Sequence, residues 1–436
     1  MLRFRWETEF KDAEFEKIPK EWGLGRVRDV AKINELSIKE DFQHDRIEYI
    51  DITSVNNGEL LGVQDLSLSE APSRAKRIVR NNDILISTVR PNLKHFVFVK
   101  NAKSNTIAST GFAVVSSYKI NPRYLYYFLT SEPFTIYLTQ IAETQTSAYP
   151  AFTPDVIENA ELPLPVNYGK PLGEDLRIGN ILSWFDELIE NKKRQNEVLE
   201  KAAMAVFKSW FVDFEPFKDG EFVPSELGEI PKQWCVKPLE EVATLFKGVS
   251  YSSSEISSEP QGSLFITLNN FLREGGFKLE YDYYIGSKAR DEQKVKEGDL
   301  IIALTDMTPL AKVVGSPAIV SLPYGYDFGV ISLDCGKLEF RKEFLRFYLY
   351  LYLKYTQEEN STFANGVNVL HLNTNLFMRN KLILMPPEPI LEKFHALVEP
   401  LFQKIALNQK QILVLRKVKD TLLPLLVFGK LRVEEI

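Results

Sequence analysis

Between residues 173 and 211 apolar side chains recur at Ile178, Ile181, Phe185, Leu188, Leu199, Ala202, Val206 and Trp210, with no Gly or Pro after Gly179. Steps of three and four predict one long amphipathic helix with a single buried seam. At about 1.5 Å per residue such a rod measures roughly 57 Å, long for one wall of a compact core. A second rod is predicted over 392–426, where Phe394, Leu397, Leu401, Ile405, Leu415, Val418, Leu422 and Leu425 follow heptad-like spacing. Both seams turn polar midway, at Lys192 and Gln195 in the first and at Asn408 and Gln411 in the second. The expected interface therefore sets Ile181, Phe185, Leu188, Lys192, Gln195, Leu199 and Val206 against Leu401, Ile405, Asn408, Gln411, Leu415 and Leu422. A polar central layer can fix the register of an antiparallel pair at some cost in stability. The plain alternative is a locally solvated stretch in two ordinary helices.

The pattern before each rod is written twice. Ile18-Pro19-Lys20-Glu21-Trp22 recurs as Ile230-Pro231-Lys232-Gln233-Trp234, and Asp29-Val30-Ala31 as Glu241-Val242-Ala243. Val79-Arg80-Asn81-Asn82-Asp83-Ile84-Leu85 recurs as Val295-Lys296-Glu297-Gly298-Asp299-Leu300-Ile301. Leu162-Pro163-Leu164-Pro165 is echoed by Ile383-Leu384-Met385-Pro386, and Leu199-Glu200-Lys201 by Leu415-Arg416-Lys417. Matches in one order at offsets of 212 to 221 describe a duplicated unit of about 215 residues. In the first copy, β-type runs are predicted over 47–52, 84–89, 95–99 and 106–115. A short aromatic helix follows over 122–129, and then a proline-bounded exit over 162–166. Strands and helices mix without βαβ alternation, so the fold class is α+β. The boundaries drawn are an N-terminal segment 1–17, a globe 18–170, a helix 171–215, a second globe 216–387, and a helix with tail 388–436. Duplicated units that pair as a homodimer does would share a pseudo-two-fold axis, with the two helices antiparallel.

Composition adds exclusions. The chain has 436 residues, 44% hydrophobic and 26% charged, with a net charge of −6. Two cysteines, Cys235 and Cys335, and four histidines make a zinc site or a disulfide framework unexpected and point to a reducing cytoplasm. No apolar run approaches about 18 residues, so no membrane span is expected. Local charge changes the picture more. Residues 71–123 hold ten Lys/Arg against the single acid Asp83, a net of +9, whereas residues 28–70 carry a net of −6. One face of the first globe is therefore expected to be basic, the other reading being an unevenly charged solvated surface.

Catalytic signatures are missing. There is no GxxxxGK[ST], no glycine cluster for a methyl donor, no nuclease-type acid pattern after Pro154-Asp155 and no company for the histidines. Asn121-Pro122-Arg123-Tyr124 reads as a helix start, with Asn121 as N-cap and Pro122 in the first turn. No catalytic or metal-binding residue is assigned.

The doubled Ile-Pro-x-x-Trp opening, the Gly-Asp-Leu-Ile-Ile run at 298–302 and the Leu-Pro-Leu-Pro exit before a long helix resemble the specificity (S) subunit of Type I restriction–modification systems. The likeness spans roughly 16–431 and departs at Asn82, where such chains often have Gly. It implies two target-recognition domains, each reading one half of a bipartite double-stranded DNA target, and an antiparallel coiled coil that sets the gap. It implies two docked adenine-N6 methyltransferase (M) subunits and restriction/motor (R) subunits as partners. It implies no cofactor in this chain, with S-adenosylmethionine, ATP and Mg²⁺ belonging to those partners. Chosen by loop position and chemistry, the expected DNA contacts are Arg74, Lys76, Arg77, Arg90, Asn92, Lys94 and Lys103 in the first globe. In the second they are Lys288, Arg290, Thr305, Asp306, Thr308, Lys312, Asn365, Asn368 and His371. The competing readings are a coiled-coil scaffold presenting two protein-binding modules without DNA contact, and a self-sufficient methyltransferase or nuclease.

Overall fold

The computed structural model describes residues 2–39, 42–145, 149–307 and 310–435. The chain forms two compact units, Met1–Leu188 with Arg416–Ile436, and Ile189–Leu415. Each is α+β, and each contains part of both long helices.

In the first unit one antiparallel sheet has the order Phe96–Phe98, Ile84–Ser87, Phe112–Ser117, Ala31–Ile33. A second has the order Ala75–Ile78, Thr106–Ser109, Arg46–Ile50, Gln64–Ser67, with Thr106–Ser109 and Arg46–Ile50 parallel. The run expected as a single strand over 106–115 is two strands in different sheets. They part at Thr110-Gly111, where a Cβ on Gly111 would meet Ile52 Cδ1 at 2.8 Å, so the turn packs closely on the Ile52 side chain. The second unit repeats this order. Pro317–Ile319, Leu300–Ala303, Cys335–Glu339 and Thr244–Lys247 form one sheet. Lys294–Val295, Gly329–Ile331, Ser263–Ile266 and Asp282–Tyr284 form the other, with its parallel pair in the same place and Ile256–Ser257 added at the edge. Duplication is thus a property of the topology as well as of the sequence.

Local signals explain several elements. The helix Pro122–Leu129 starts where Asn121 accepts from the Arg123 and Tyr124 amides at 3.0 and 3.1 Å. The Asp175 carboxylate accepts from Asn121 N at 2.8 Å and ties that cap to the first long helix. Gly179 permits the contact, because a Cβ there would lie 2.6 Å from Asn121 Oδ1. In the paired turns before the central strands, Asp83 and Asp299 accept from the amides of Arg80 and Lys296 at 2.7 and 2.8 Å. Asn82 adopts φ 70° where Gly298 adopts φ 83°, so the family-type glycine is replaced by the residue that best tolerates the left-handed region.

The long helices are Glu174–Phe211 and Glu388–Val427. Within the first unit Lys419 Nζ meets Asp186 Oδ1 at 2.7 Å, and Arg432, just past the second helix, meets Glu174 at the start of the first. Within the second unit Lys192 donates to Gln411 at 2.5 Å, Asn408 to Asn196 at 2.9 Å, and Phe211 packs on Phe394 with centroids 4.8 Å apart. As numbers rise on one helix they fall on the other, so the pairing is antiparallel in each unit. The chain ends also meet: Leu2–Trp6 pairs antiparallel with Leu431–Glu435, Phe4 opposite Val433. Among the described residues no helix is long and apolar enough to cross a membrane.

Candidate nucleic-acid interface

The basic segment of the first unit does not form a segregated face. Folding sets it against the acidic segment before it: Arg74 lies 3.6 Å from Asp51, Arg80 2.8 Å from Glu35, and Lys103 forms an ion pair with Glu48. Lys94 pairs with Glu132 at 2.7 Å, and Arg123 with Glu187 at 3.1 Å. The expectation of a basic face is corrected for this reason: the parallel pairing of Thr106–Ser109 with Arg46–Ile50 brings the two charge blocks together, and opposite charges neutralise locally. Of the cations singled out for DNA, Lys76, Arg77 and Arg90 face no carboxylate among the described residues. Arg77 is half-buried and donates to Ser37 Oγ at 3.2 Å, whereas Lys76, on the edge strand Ala75–Ile78, and Arg90 are exposed. A cleft of about 310 Å³ beside the turn at 80–83 is lined by Lys32, Glu35 and Arg80, which already pair with one another.

Arg90, Asn92 and Lys94 belong to one loop, residues 88–95, between two strands of the first sheet. The loop carries two left-handed non-glycine residues, Arg90 at φ 49° and Lys94 at φ 55°, flanking the turn Pro91–Leu93. Such conformations cost of order 1 kcal/mol each and cluster at functional loops. Val89 bridges to Ala151, Arg90 N donates to Pro150 O at 2.8 Å, and the Arg90 guanidinium lies 5.2 Å from the centre of the exposed Tyr149 ring. That distance is within cation–π range, which restrains the guanidinium beside the ring.

The second unit uses the same place differently. The bridge Val89–Ala151 becomes Thr305↔His371 and Asp306↔Leu370, and a hairpin Ala364–Asn365/Leu370–Leu372 is added beside it. Two expected contacts turn inward. Thr305 is buried with its hydroxyl on Asp334 at 3.1 Å, and Asp306 is buried with its carboxylate on the Val313 amide at 2.7 Å. Both hold the loop in shape and do not face solvent, because a buried hydroxyl and a buried carboxylate are stable only when hydrogen-bonded. Thr308 lies outside the described residues. Lys288, Arg290 and Lys312 are exposed but paired, with Glu255 at 3.4 Å, Glu292 at 3.1 Å and Glu274 at 3.0 Å. Asn365, Asn368 and His371 are exposed on the hairpin. Sequence reasoning passed over Tyr149, Met307 and Val367, the most exposed large side chains of these edges, because an isolated apolar or aromatic residue in a loop carries no periodic signal.

On the helix pair, the seam follows a strict three–four pattern. On the second helix it runs Leu391, Phe394, Val398, Leu401, Ile405, Asn408, Ile412, Leu415, Lys419, Leu422 and Leu426, with Asn408 buried. Leu401, Ile405, Leu415 and Leu422 stand where expected, while Gln411 flanks the seam and accepts from Lys192. On the first helix the seam is Leu182, Phe185, Ile189, Lys192, Asn196, Leu199 and Ala203, with Ile181 buried beside it. Leu188, 48% exposed, and Gln195, exposed, are corrected to the neighbouring Ile189 and Asn196, and half-buried Val206 yields to Phe207. Steps of 3.6 leave adjacent positions equally eligible, and the contact with the other helix decides between them. Gln195 still accepts from Asn408 at 3.3 Å. Among the described residues no group of His, Cys, Asp or Glu could hold a metal ion.

Two topologically equal α+β units, each closed on an antiparallel pair of long helices and each displaying one elaborated loop edge, define a duplicated recognition module. A family model described as "Type I restriction modification DNA specificity domain" matches residues 19–201. The MjaIX specificity subunit of a type I restriction enzyme from Methanocaldococcus jannaschii is 33% identical, over 100% of this chain and 99% of its own length. The HindI specificity subunit from Haemophilus influenzae is 24% identical over 94% of this chain and 99% of its own. The crystal structure of a Type I restriction–modification S subunit from M. genitalium shares the fold, with a TM-score of 0.52 and 14% identity over 93% of this chain and 96% of that one. The chain belongs to the family of type I restriction enzyme specificity subunits, whose general function is DNA target recognition.

Proposed function

We propose that this chain is the non-catalytic DNA-specificity subunit of a type I restriction–modification enzyme, each α+β unit reading one half of a bipartite duplex target. The observation that carries the reading is the loop edge. The same topological position is kept in both units, bridged at Val89–Ala151 and at Thr305–His371, yet it presents Arg90 with Tyr149 in one and Asn365, Asn368 and His371 in the other. A conserved frame with different polar ends is what two different half-sites require.

The helix pair sets the gap between the half-sites and docks two adenine-N6 methyltransferase subunits. In support, Val198 and Val414 stand at repeat-equivalent positions and are both exposed, so each unit offers a like apolar spot to a like partner. Restriction/motor subunits join that assembly in the cytoplasm. S-adenosylmethionine, ATP and Mg²⁺ enter with the partners.

The test is binding of the complex of this chain with its methyltransferase subunits to a library of random duplexes. Selective enrichment of a split sequence is expected. A complex that enriches none supports the scaffold without DNA contact. Inserting four residues beside Arg194 and four beside the repeat-equivalent Lys410 adds roughly 6 Å of helix. The expected outcome is the same two half-sites with a gap longer by one or two base pairs, at about 3.4 Å each.

A further inference from the structure

The loop edges of the two units differ in chemistry as well as in shape. In the first unit the exposed groups are the Arg90 guanidinium over the Tyr149 ring, the Asn92 amide and Leu93, while the Lys94 ammonium is half-buried against Glu132. In the second, residues 361–378 contain no Asp, Glu, Lys or Arg. The tip of the hairpin is Gly366-Val367-Asn368-Val369, with Val367 88% exposed and Met307, one residue past the Asp306↔Leu370 pair, 74% exposed. The tip is geometrically fixed. Gly366 has φ 137°, and a Cβ there would lie 2.0 Å from Val369 O. Asn365 is paired in register with His371, so its amide stands at the base of the tip and that of Asn368 on it.

An uncharged tip neutralises no phosphate and so gains nothing from counterion release. A two-stranded ribbon does fit the major groove, and there the one apolar group on any base edge is the C5-methyl of thymine, while asparagine matches the N6/N7 edge of adenine. We propose that the hairpin Ala364–Asn365/Leu370–Leu372 recognises T·A pairs in its half-site, Val367 meeting a thymine methyl and Asn365 and Asn368 reading adenine. The inference rests on the DNA-reading function proposed above and adds to it the class of base that this unit selects. The first unit, with Arg90 held on Tyr149, has the donors for guanine; the aliphatic group on its loop is Leu93, 47% exposed against 88% for Val367.

The test uses the complex with methyltransferase subunits. The target is obtained by sequencing methylated adenines, and the half-sites are assigned by exchanging residues 18–170 for those of a relative. Duplexes are then made with deoxyuridine in place of thymidine in one half-site at a time, which removes only the methyl. Substitution in the half-site of the second unit should weaken binding on the order of ten-fold, as loss of one buried methyl does, and substitution in the other half-site should leave it unchanged. Val367→Ala should abolish the preference for thymidine over deoxyuridine. Val367 is exposed at a hairpin tip, so the variant is expected to fold, and a normal response at the other half-site would verify that. Equal binding of deoxyuridine and thymidine duplexes by the unaltered complex overturns the proposal. So does a Val367→Ala complex that still discriminates, or one that instead loses its methyltransferase subunits. A complex without any sequence selectivity overturns the underlying function as well, and is told apart by its failure on the unmodified target.

Discussion

The same tryptophan opens both units, and its surroundings differ completely. Trp22 is buried with its Nε1 donating to Glu174 at 3.0 Å, and Glu174 in turn receives Arg432 Nε and Nη2 at 2.8 and 3.0 Å. Arg432 also reaches Glu7 at 2.7 Å and lies over the Trp22 ring at 5.7 Å. Trp234 sits instead among Phe211, Phe214 and Phe217, with ring centroids 5.8, 5.5 and 5.0 Å away. The first residues of the two long helices follow suit: Glu174 is buried in the ion network, whereas Glu388 is exposed and pairs loosely with Lys342 at 3.6 Å. The difference follows from covalent connection. In the second unit the first long helix runs on through Phe211 into the entry hairpin Phe222–Ser225/Gly228–Pro231. In the first unit the equivalent junction is made by two strands far apart in sequence, Leu2–Trp6 and Leu431–Glu435, which are held to one another non-covalently. Plain aromatic packing suffices where the backbone is continuous. Where it is not, directional charged hydrogen bonds hold the ends in register.

This comparison can be broken most severely at Arg432. Replacing it with alanine leaves Glu174 buried without a counter-charge and Glu7 with Arg5 alone at 3.5 Å, and the expected loss is about 3–5 kcal/mol. Urea unfolding followed by hydrogen exchange should show the loss in Leu2–Trp6 and the sheets of the first unit, with the second unit's protection unaltered. Trp22→Phe and Trp234→Phe form a matched pair. Both lose apolar area, but only the first also removes a hydrogen bond to a buried carboxylate, Trp22 Nε1 to Glu174, so it should cost about 1–3 kcal/mol more. Equal costs would show that the network adds nothing beyond packing.

Acid should separate the units as well. Burial alone would raise the Glu7 carboxyl, but the amides of Glu9 and Thr8 and the Arg432 guanidinium outweigh it and hold it at about 2 against an ordinary 4.5. A folded value below the unfolded one means that the contribution is complete above pH 4.5 and is lost as the pH falls toward 2. The chain ends should therefore open first in that window, as read by proteolysis at the termini. The smallest effect is expected at the paired turns. Asn82→Gly should change stability by less than about 0.5 kcal/mol, while Gly298→Ala should cost about 1 kcal/mol, because the left-handed turn tolerates asparagine far better than alanine.

Legibility in the sequence tracked distance along the chain. The cap at Asn121, the rods and the duplication were all readable, since each depends on residues within one turn of helix, on helical periodicity or on a direct repeat. The helix Glu132–Gln145 went unseen because its buried Phe134, Leu138 and Ala142 are separated by Thr, Tyr and Gln that dilute the period. At the site, Asn365, Asn368, His371, Asn92 and Arg90 were legible as polar loop residues. The inward turn of Thr305 and Asp306 was not, since their partners Asp334 and Val313 are set by the fold.

By itself the sequence determined that two α+β units exist, that each leads into a long amphipathic helix, and that the seam of those helices turns polar at its centre. These follow from periodicity and repetition, which are one-dimensional. Only the tertiary structure decided which of the neighbours Leu188 and Ile189 enters the seam, which cations keep their charge free once Asp51, Glu48 and Glu35 have come beside them, and that the two chain ends close one unit. Those outcomes depend on which residues distant in sequence become neighbours in space, and electrostatic pairing and burial act only on neighbours in space.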